Sequence, residues 1–234
     1  IGETERFQKI GKGEASQKTR HGNIPPMNVD HSFVDCPISD WFGVDYVDDL
    51  DKLKINIREQ EALQKTIVSA LARRTDAQIV AAAETSPNVI AAAGAGMTRL
   101  KMDEIMITMG ELDVPDDGQR VCVVGWKQWA DMMNIDAFVN SDYTGPNDHP
   151  LKDWPMRKFF NGIWWCPWNG LTRTGANRRC IAYHWSAVGH AIQQDVETEI
   201  AWIAEKHAWL VKGFLAMGAV AIDTDGILLT DCQE

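Results

Sequence analysis

At 234 residues, 45% of them hydrophobic and 24% charged, the chain is long enough to bury a real core as one large domain or two small ones. A formal net charge of −10 excludes a strongly basic nucleic-acid groove as the main activity, while an acidic surface stays compatible with enclosing DNA without adhering to it. Five cysteines without a C-x-x-C pair argue against a disulfide framework or zinc site, and the lack of a long apolar run or signal peptide argues against a membrane role.

The chain opens on Ile1 rather than Met, so the expectation is a start that is trimmed, processed or only partly observed. Residues 1–34 read poorly as a packed domain. Gly11 to Asn23 holds no apolar side chain larger than alanine, carries Lys12, Lys18 and Arg20 after Lys9, and runs into Ile24-Pro25-Pro26. Such a stretch cannot bury enough surface to fold alone and is expected to be a disordered tail or an arm lying on something else. Residues 35–51 then reverse the charge, with Asp35, Asp40, Asp45, Asp48, Asp49 and Asp51 and no Lys or Arg. A solvated, mixed surface accounts for that run equally well.

From Lys54 to Thr85 the spacing of Leu63, Ile67, Leu71, Ile79 and Ala82 predicts a long helix, helped by its alanines and stopped by Ser86-Pro87. A second helix is predicted from an N-cap at Thr98 to Leu112. Arg120 to Val124 reads as a β-branched strand and Trp126 to Met133 as a short helix. Asn140 to Asp153, rich in Asp, Asn, Gly and Pro, reads as a loop. Phe159–Trp168 and Arg178–His184 read as two strands joined around Asn169-Gly170. Trp185 to Ile192 is expected to be a small helix. Alternation at Val196, Thr198, Ile200 and Trp202 predicts a strand, Trp209 to Ile222 a buried strand, and Ile227 to Thr230 a last strand beyond the turn at Asp223–Gly226. The fold class is α+β, without an internal repeat. Nine of the ten tryptophans follow residue 125, as a large core or an interface would require.

The enzyme readings are thin. Gly94-Ala95-Gly96 starts like a dinucleotide-binding turn, but Arg99 stands where the third glycine belongs and the preceding strand is short. Ser186 lacks the glycine of a nucleophile elbow, Cys166 has no nearby histidine, and none of the six histidines stands in a metal-ligand spacing. No catalytic residue, metal ligand or cofactor is assigned.

The order of parts is informative: basic arm, acidic base, long helix, compact α+β region, long returning strands. Leu71 to Ala83, Val121 to Trp129, Cys180 to Ile192, and Ala216 through Ile227 together resemble the tailed-phage major capsid proteins of the Hong Kong 97 fold, podovirus type, over essentially the whole chain. That resemblance implies an extended loop (residues 1–50), a peripheral domain with a spine helix (51–96 and 191–234) and an axial domain (97–190). It also implies self-assembly through pentamers and hexamers into an icosahedral virion shell around packaged DNA, without sequence-specific binding. Synthesis would be in the bacterial host cytoplasm, and scaffolding, portal or decoration proteins are further candidate partners. Lys9, Lys12, Lys18, Arg20, Asp45, Asp48 and Asp49 are the candidate subunit-interface residues, the basic tip reaching carboxylates on an adjacent copy. An encapsulin-like compartment loaded with cargo enzyme, and a small-molecule enzyme using the Gly94–Gly96 loop, are the alternatives.

Overall fold

The structure is a computed structural model and describes residues 2–48, 59–140 and 156–234. Its first two strands, β1 (Thr4–Ile10) and β2 (His31–Pro37), pair antiparallel from Thr4↔Pro37 to Ile10↔His31 as a ribbon separate from the other sheets. The stretch between them, too poor in apolar groups for a core, is the tip of that ribbon, turned where Gly22 N–H donates to the Thr19 carbonyl at 3.0 Å. The arm is thus built as a β-hairpin.

After Ile38 the chain enters β3 (Ser39–Asp48), which forms the edge of a three-stranded sheet in the order β10–β11–β3; β10 is Val188–Ile203 and β11 Ala208–Ala221. The acidic stretch therefore contains an ordinary strand. Its period of two turns Trp41, Gly43 and Val47 toward the long helix and leaves Phe42, Val44 and Tyr46 exposed on the other face.

That helix, α1 (Glu59–Ala83), has 25 described residues and is ~37 Å long. Residues 54–58 of the expected helix lie outside the described residues. Its first half lays Leu63, Ile67 and Leu71 over the sheet, closing a small core with Val47, Val211, Leu215 and Met217. The seat is specific. Gly43 and Gly213 are direct cross-strand partners, and their missing side chains make a notch that receives Ile67. A Cβ on Gly213 would meet Ile67 Cγ2 at 2.5 Å and Leu71 Cδ1 at 3.2 Å; one on Gly43 would meet Ile67 Cγ2 at 3.0 Å. The Arg74 guanidinium lies 3.7 Å from the centre of the Trp41 ring, fixing the helix laterally. The second half of α1 leaves this sheet, and Val80 and Ala83 pack against the larger core. After it, Ser86 Oγ donates to the carbonyl of Ile227 at 2.8 Å, pinning the helix exit to the C-terminal strand.

The larger core lies in the compact region. β4 (Val89–Ile90) leads to α2 (Arg99–Glu111), whose N-cap Thr98 accepts from the Lys101 N–H as expected. β5 (Arg120–Val124), α3 (Trp126–Met133) and α4 (Asp136–Val139) follow, the first two with the bounds the sequence predicts. Phe159–Trp168 is not one strand. Asn161-Gly162, with φ of 52° and 74°, folds it into β6 (Lys158–Phe160) and β7 (Ile163–Pro167), because an Asn-Gly pair supplies the two positive φ values a tight hairpin needs. β8 (Arg173–Thr174), β9 (Asn177–His184) and β12 (Ile227–Gln233) complete a sheet of order β4–β12–β9–β5–β7–β6, with β8 on β9. β12, at the end of the 191–234 stretch, thus belongs by pairing to this sheet. One face carries Cys122, Val124, Ile163, Trp165, Cys180 and Ala182 into a core with Met102, Ile105, Met109 and Met132 of the helices. Trp129, Phe138 and Phe160 stack edge to face in series at 5.7 and 5.4 Å.

The expected helix at Trp185–Ile192 does not form. A single 3-10 turn, Trp185–Ala187, ends at Val188, from which Val188 to Ile192 pair with Ala221 to Met217 in β10. A partner strand some thirty residues away overrides the local helical pattern there.

Candidate functional site

Sequence reasoning placed the function on the arm and its acidic base. The ribbon holds its shape by alternate pairing and by the bidentate Arg6–Asp35 pair, at 2.7 and 3.3 Å on directly opposed positions. The hydrogen bond from Arg6 lowers the Asp35 carboxyl below its ordinary value and raises the Arg6 guanidinium. The root of the arm leans on its own body. Phe7 packs beside Gly189 and Ile222, Lys9 Nζ reaches Asp223 at 2.9 Å, and Lys12 Nζ reaches Asp113 at 3.1 Å and the Leu112 carbonyl at 3.0 Å. Two of the four basic residues expected at the subunit interface, Lys9 and Lys12, are therefore engaged within the chain. Their partners stand in the turns after β11 and α2, far away in sequence, which is why the sequence does not show them.

Beyond Lys12 the arm changes character. Lys18 and Arg20 stand on the tip and make no ion pair among the described residues. Ile24 is 75% exposed and Met27 55%, as Ile10 and Phe33 are exposed on the ribbon. Of the acidic residues, Asp45 sits opposite Val211 and accepts from the Tyr46 N–H at 2.8 Å, and Asp48 sits opposite Ala208. Neither is brought to the basic tip of the same chain. Asp49 lies outside the described residues. On the strand face that Asp48 shares and Asp45 does not, Phe42, Val44 and Tyr46 make an exposed apolar row, extended by Phe214, whose ring lies 6.2 Å from that of Phe42. The row is not evident in the sequence, since Phe42, Val44 and Tyr46 stand among Asp40, Asp45 and Asp48 and look like part of a solvated run.

The positions weighed for chemistry serve the fold. The loop around Gly94–Gly96 offers carbonyls: Lys101 Nζ donates to Ala92 O at 2.7 Å, Ala95 O at 2.8 Å and Asp231 O at 3.0 Å, so the turn encloses an ammonium where a dinucleotide turn would present N–H groups to phosphate. Ser186, His184 and Asp117 form a hydrogen-bonded chain. His184 Nδ1 accepts from the Ser186 N–H, lies 2.8 Å from Ser186 Oγ, and leaves Nε2 to donate to Asp117 Oδ1 at 3.0 Å. That hydrogen bond holds the Asp117 carboxyl below its usual range. The chain clasps the end of β9 to the loop before β5. Cys122, Cys180 and Cys232 are buried in the core; burial pushes the Cys122 thiol up, and the hydrogen bond with Cys232 together with burial does the same to Cys180. Among the described residues no group of three His, Cys, Asp or Glu side chains could hold a metal ion.

A family model described as phage capsid protein matches residues 1–234. Among curated proteins none matches. Solved structures are similar in fold throughout. The capsid of the cyanophage P-SCSP1u superposes with a TM-score of 0.75 at 16% identity, covering 100% of this chain and 84% of that one. The capsid of Ralstonia phage GP4 gives 0.76 at 11% identity, again covering 100% and 84%. The head structure of Helicobacter pylori bacteriophage KHP40 gives 0.73 at 9% identity, covering 98% and 84%.

Proposed function

This chain belongs to the phage capsid protein family, and from that premise we propose that it closes an icosahedral shell of pentamers and hexamers by laying each arm on an adjacent copy. The protein is a structural, shell-forming major capsid protein with the α+β Hong Kong 97-type fold, and its place is the virion capsid. The observation that carries the arm reading is the division within the arm. Its root is tied to its own body through Phe7, Lys9 and Lys12. On the tip, Lys18 and Arg20 make no ion pair among the described residues, and Ile24 and Met27 stay largely exposed, Met27 lying beside Gly13 of the arm itself. Exposed apolar groups of that size carry a cost in a free subunit that contact with a second copy removes. Rotational symmetry makes each copy both donor and acceptor, so weak contacts repeat around every ring.

The division into extended loop, peripheral domain and axial domain draws support from the two separate cores, but its bounds shift: β3 (39–48) pairs into the peripheral sheet and not the loop, and β12 (227–233) into the axial sheet and not the peripheral one. Asp45, Asp48 and Asp49 stay candidate subunit-interface residues; of these, Asp48 shares its strand face with the apolar row of β3, and Asp49 lies outside the described residues. The net charge of −10 is compatible with an enclosed duplex that is not bound by sequence. Synthesis in the host cytoplasm, and contact with scaffolding, portal or decoration proteins, complete the reading. The test is Lys18→Glu with Arg20→Glu, which leaves the intrachain Lys12 pair in place. The double variant should keep a native unfolding midpoint and lose particles in sedimentation. Particles in normal yield at every ionic strength would remove the electrostatic part of the arm reading.

A further inference from the structure

The face of the axial sheet opposite its core is covered only in part. Val121 and Val123 of β5, Cys166 of β7 and Tyr183 of β9 are cross-strand neighbours on that face, and Ile79 and Val80 of α1 cross above them. Between helix and sheet runs a cleft, apolar except for the Tyr183 hydroxyl and one charged group. It continues toward Arg73 and Trp126 through the shared wall of Pro167 and Trp168, and toward Trp185 and His190 through Ile79 and Tyr183. The charged group is Asp76, in the middle of α1. Its carboxyl has no hydrogen-bond or ion-pair partner among the described residues, and burial alone pushes its pKa above the ordinary value. A partly desolvated carboxylate without a partner is unfavourable in the free subunit and is relieved by a cation.

We infer that this cleft receives the arm tip of an adjacent copy, Lys18 or Arg20 pairing with Asp76 while Ile24 and Met27 cover its apolar walls. The inference rests on the arm reading above and names its acceptor. Complementarity favours this occupant. Around Asp76 the walls are mainly apolar and the carboxylate is unpaired among the described residues, with Arg73 only on the continuation of the cleft. The tip is basic with exposed Ile24 and Met27 and no acidic residue between Lys18 and Val29. The tip's own body is a poorer candidate, because Lys9 and Lys12 commit the arm's root to Asp223 and Asp113.

The chain carries its own reporter. Cys166 lines the cleft and is partly exposed, whereas Cys36, Cys122, Cys180 and Cys232 are buried. Thr19→Cys puts a thiol between Lys18 and Arg20 and keeps both charges. A short bis-maleimide, adding one thiol across each of its two double bonds, should then join the new thiol to Cys166 of a neighbour. The expected result is a ladder of covalent oligomers from assembled particles, absent from dilute subunits and absent once Cys166→Ser is added. Asp76→Arg should abolish particles, and Lys18→Glu with Arg20→Glu in the same chain should restore them. Particles without a ladder, or Asp76→Arg assembling like the parent, overturn the cleft as acceptor. If either occurs while Lys18→Glu with Arg20→Glu alone still fails to assemble, the arm reading survives and only its acceptor is wrong. Cys166 protected in particles that give no ladder means another occupant and also overturns the inference.

Discussion

The axial region and the arm of this chain solve opposite problems. The axial sheet buries one face under α2, α3 and α4 with Met102, Ile105, Met109, Trp129 and Phe138, and each of those contacts lies within one copy. The arm, of similar chain length to that helical layer, buries little beyond Cys36 and, in part, Phe7, and its ribbon is held by backbone pairing and one exposed ion pair. A single copy therefore contains a self-sufficient core and a segment whose contacts are unfinished. Substitutions in the first should act on stability, and substitutions in the second on assembly.

The largest effect is expected at the joint between the two. Leu71→Pro removes a helical hydrogen bond and clashes one turn back in the middle of α1, at a cost of about 3 kcal/mol or more, at a position only 4% exposed. Urea unfolding should show the loss, and no particles should form; normal particles would mean that α1 is not a continuous spine. Gly213→Val comes next. Its side chain would collide with Ile67 and Leu71 in the glycine notch, and overpacking of that kind costs about 1–3 kcal/mol. Gly43→Ala, where the contact is looser, should cost less, so the order of the two midpoints checks the notch itself. Lys18→Glu with Arg20→Glu should move stability by no more than about 0.5 kcal/mol, the usual range for exposed positions, while removing particles. An equal loss of stability and assembly would erase the contrast between arm and core.

The smallest effect is acid sensitivity of the ribbon. Asp35 is held below its ordinary value by Arg6, so its contribution is present above the unfolded carboxylate range and is lost as pH falls through the lowered folded value. Both side chains are exposed, so acid should loosen the ribbon, seen as faster amide exchange in Thr4–Ile10, without changing the core.

Much of the axial region is legible in the sequence because its signals are local. Thr98 caps α2, Arg120–Val124 is β-branched, and Trp126–Met133 follows at once. The exceptions share a cause. Val188–Ile192 becomes strand because of a partner near residue 220, and the Gly43–Gly213 notch joins residues 170 apart. The pairs Lys9–Asp223 and Lys12–Asp113, and the cleft at Asp76, likewise depend on which distant surfaces meet. The arm's nature was readable from what it lacks, but its ribbon was not, because β1 and β2 owe their register to each other across the twenty residues between them. The family resemblance supplied the order of parts. The residues that hold them together come only from the structure.

Electron cryomicroscopy of particles from the full-length protein tests the central claim most directly. The account predicts closed shells in which the arm tip, residues 18–27, of each copy is ordered against an adjacent copy. Subunits that stay monomeric at high concentration and moderate salt, or shells in which the tip lies on its own body, would contradict it.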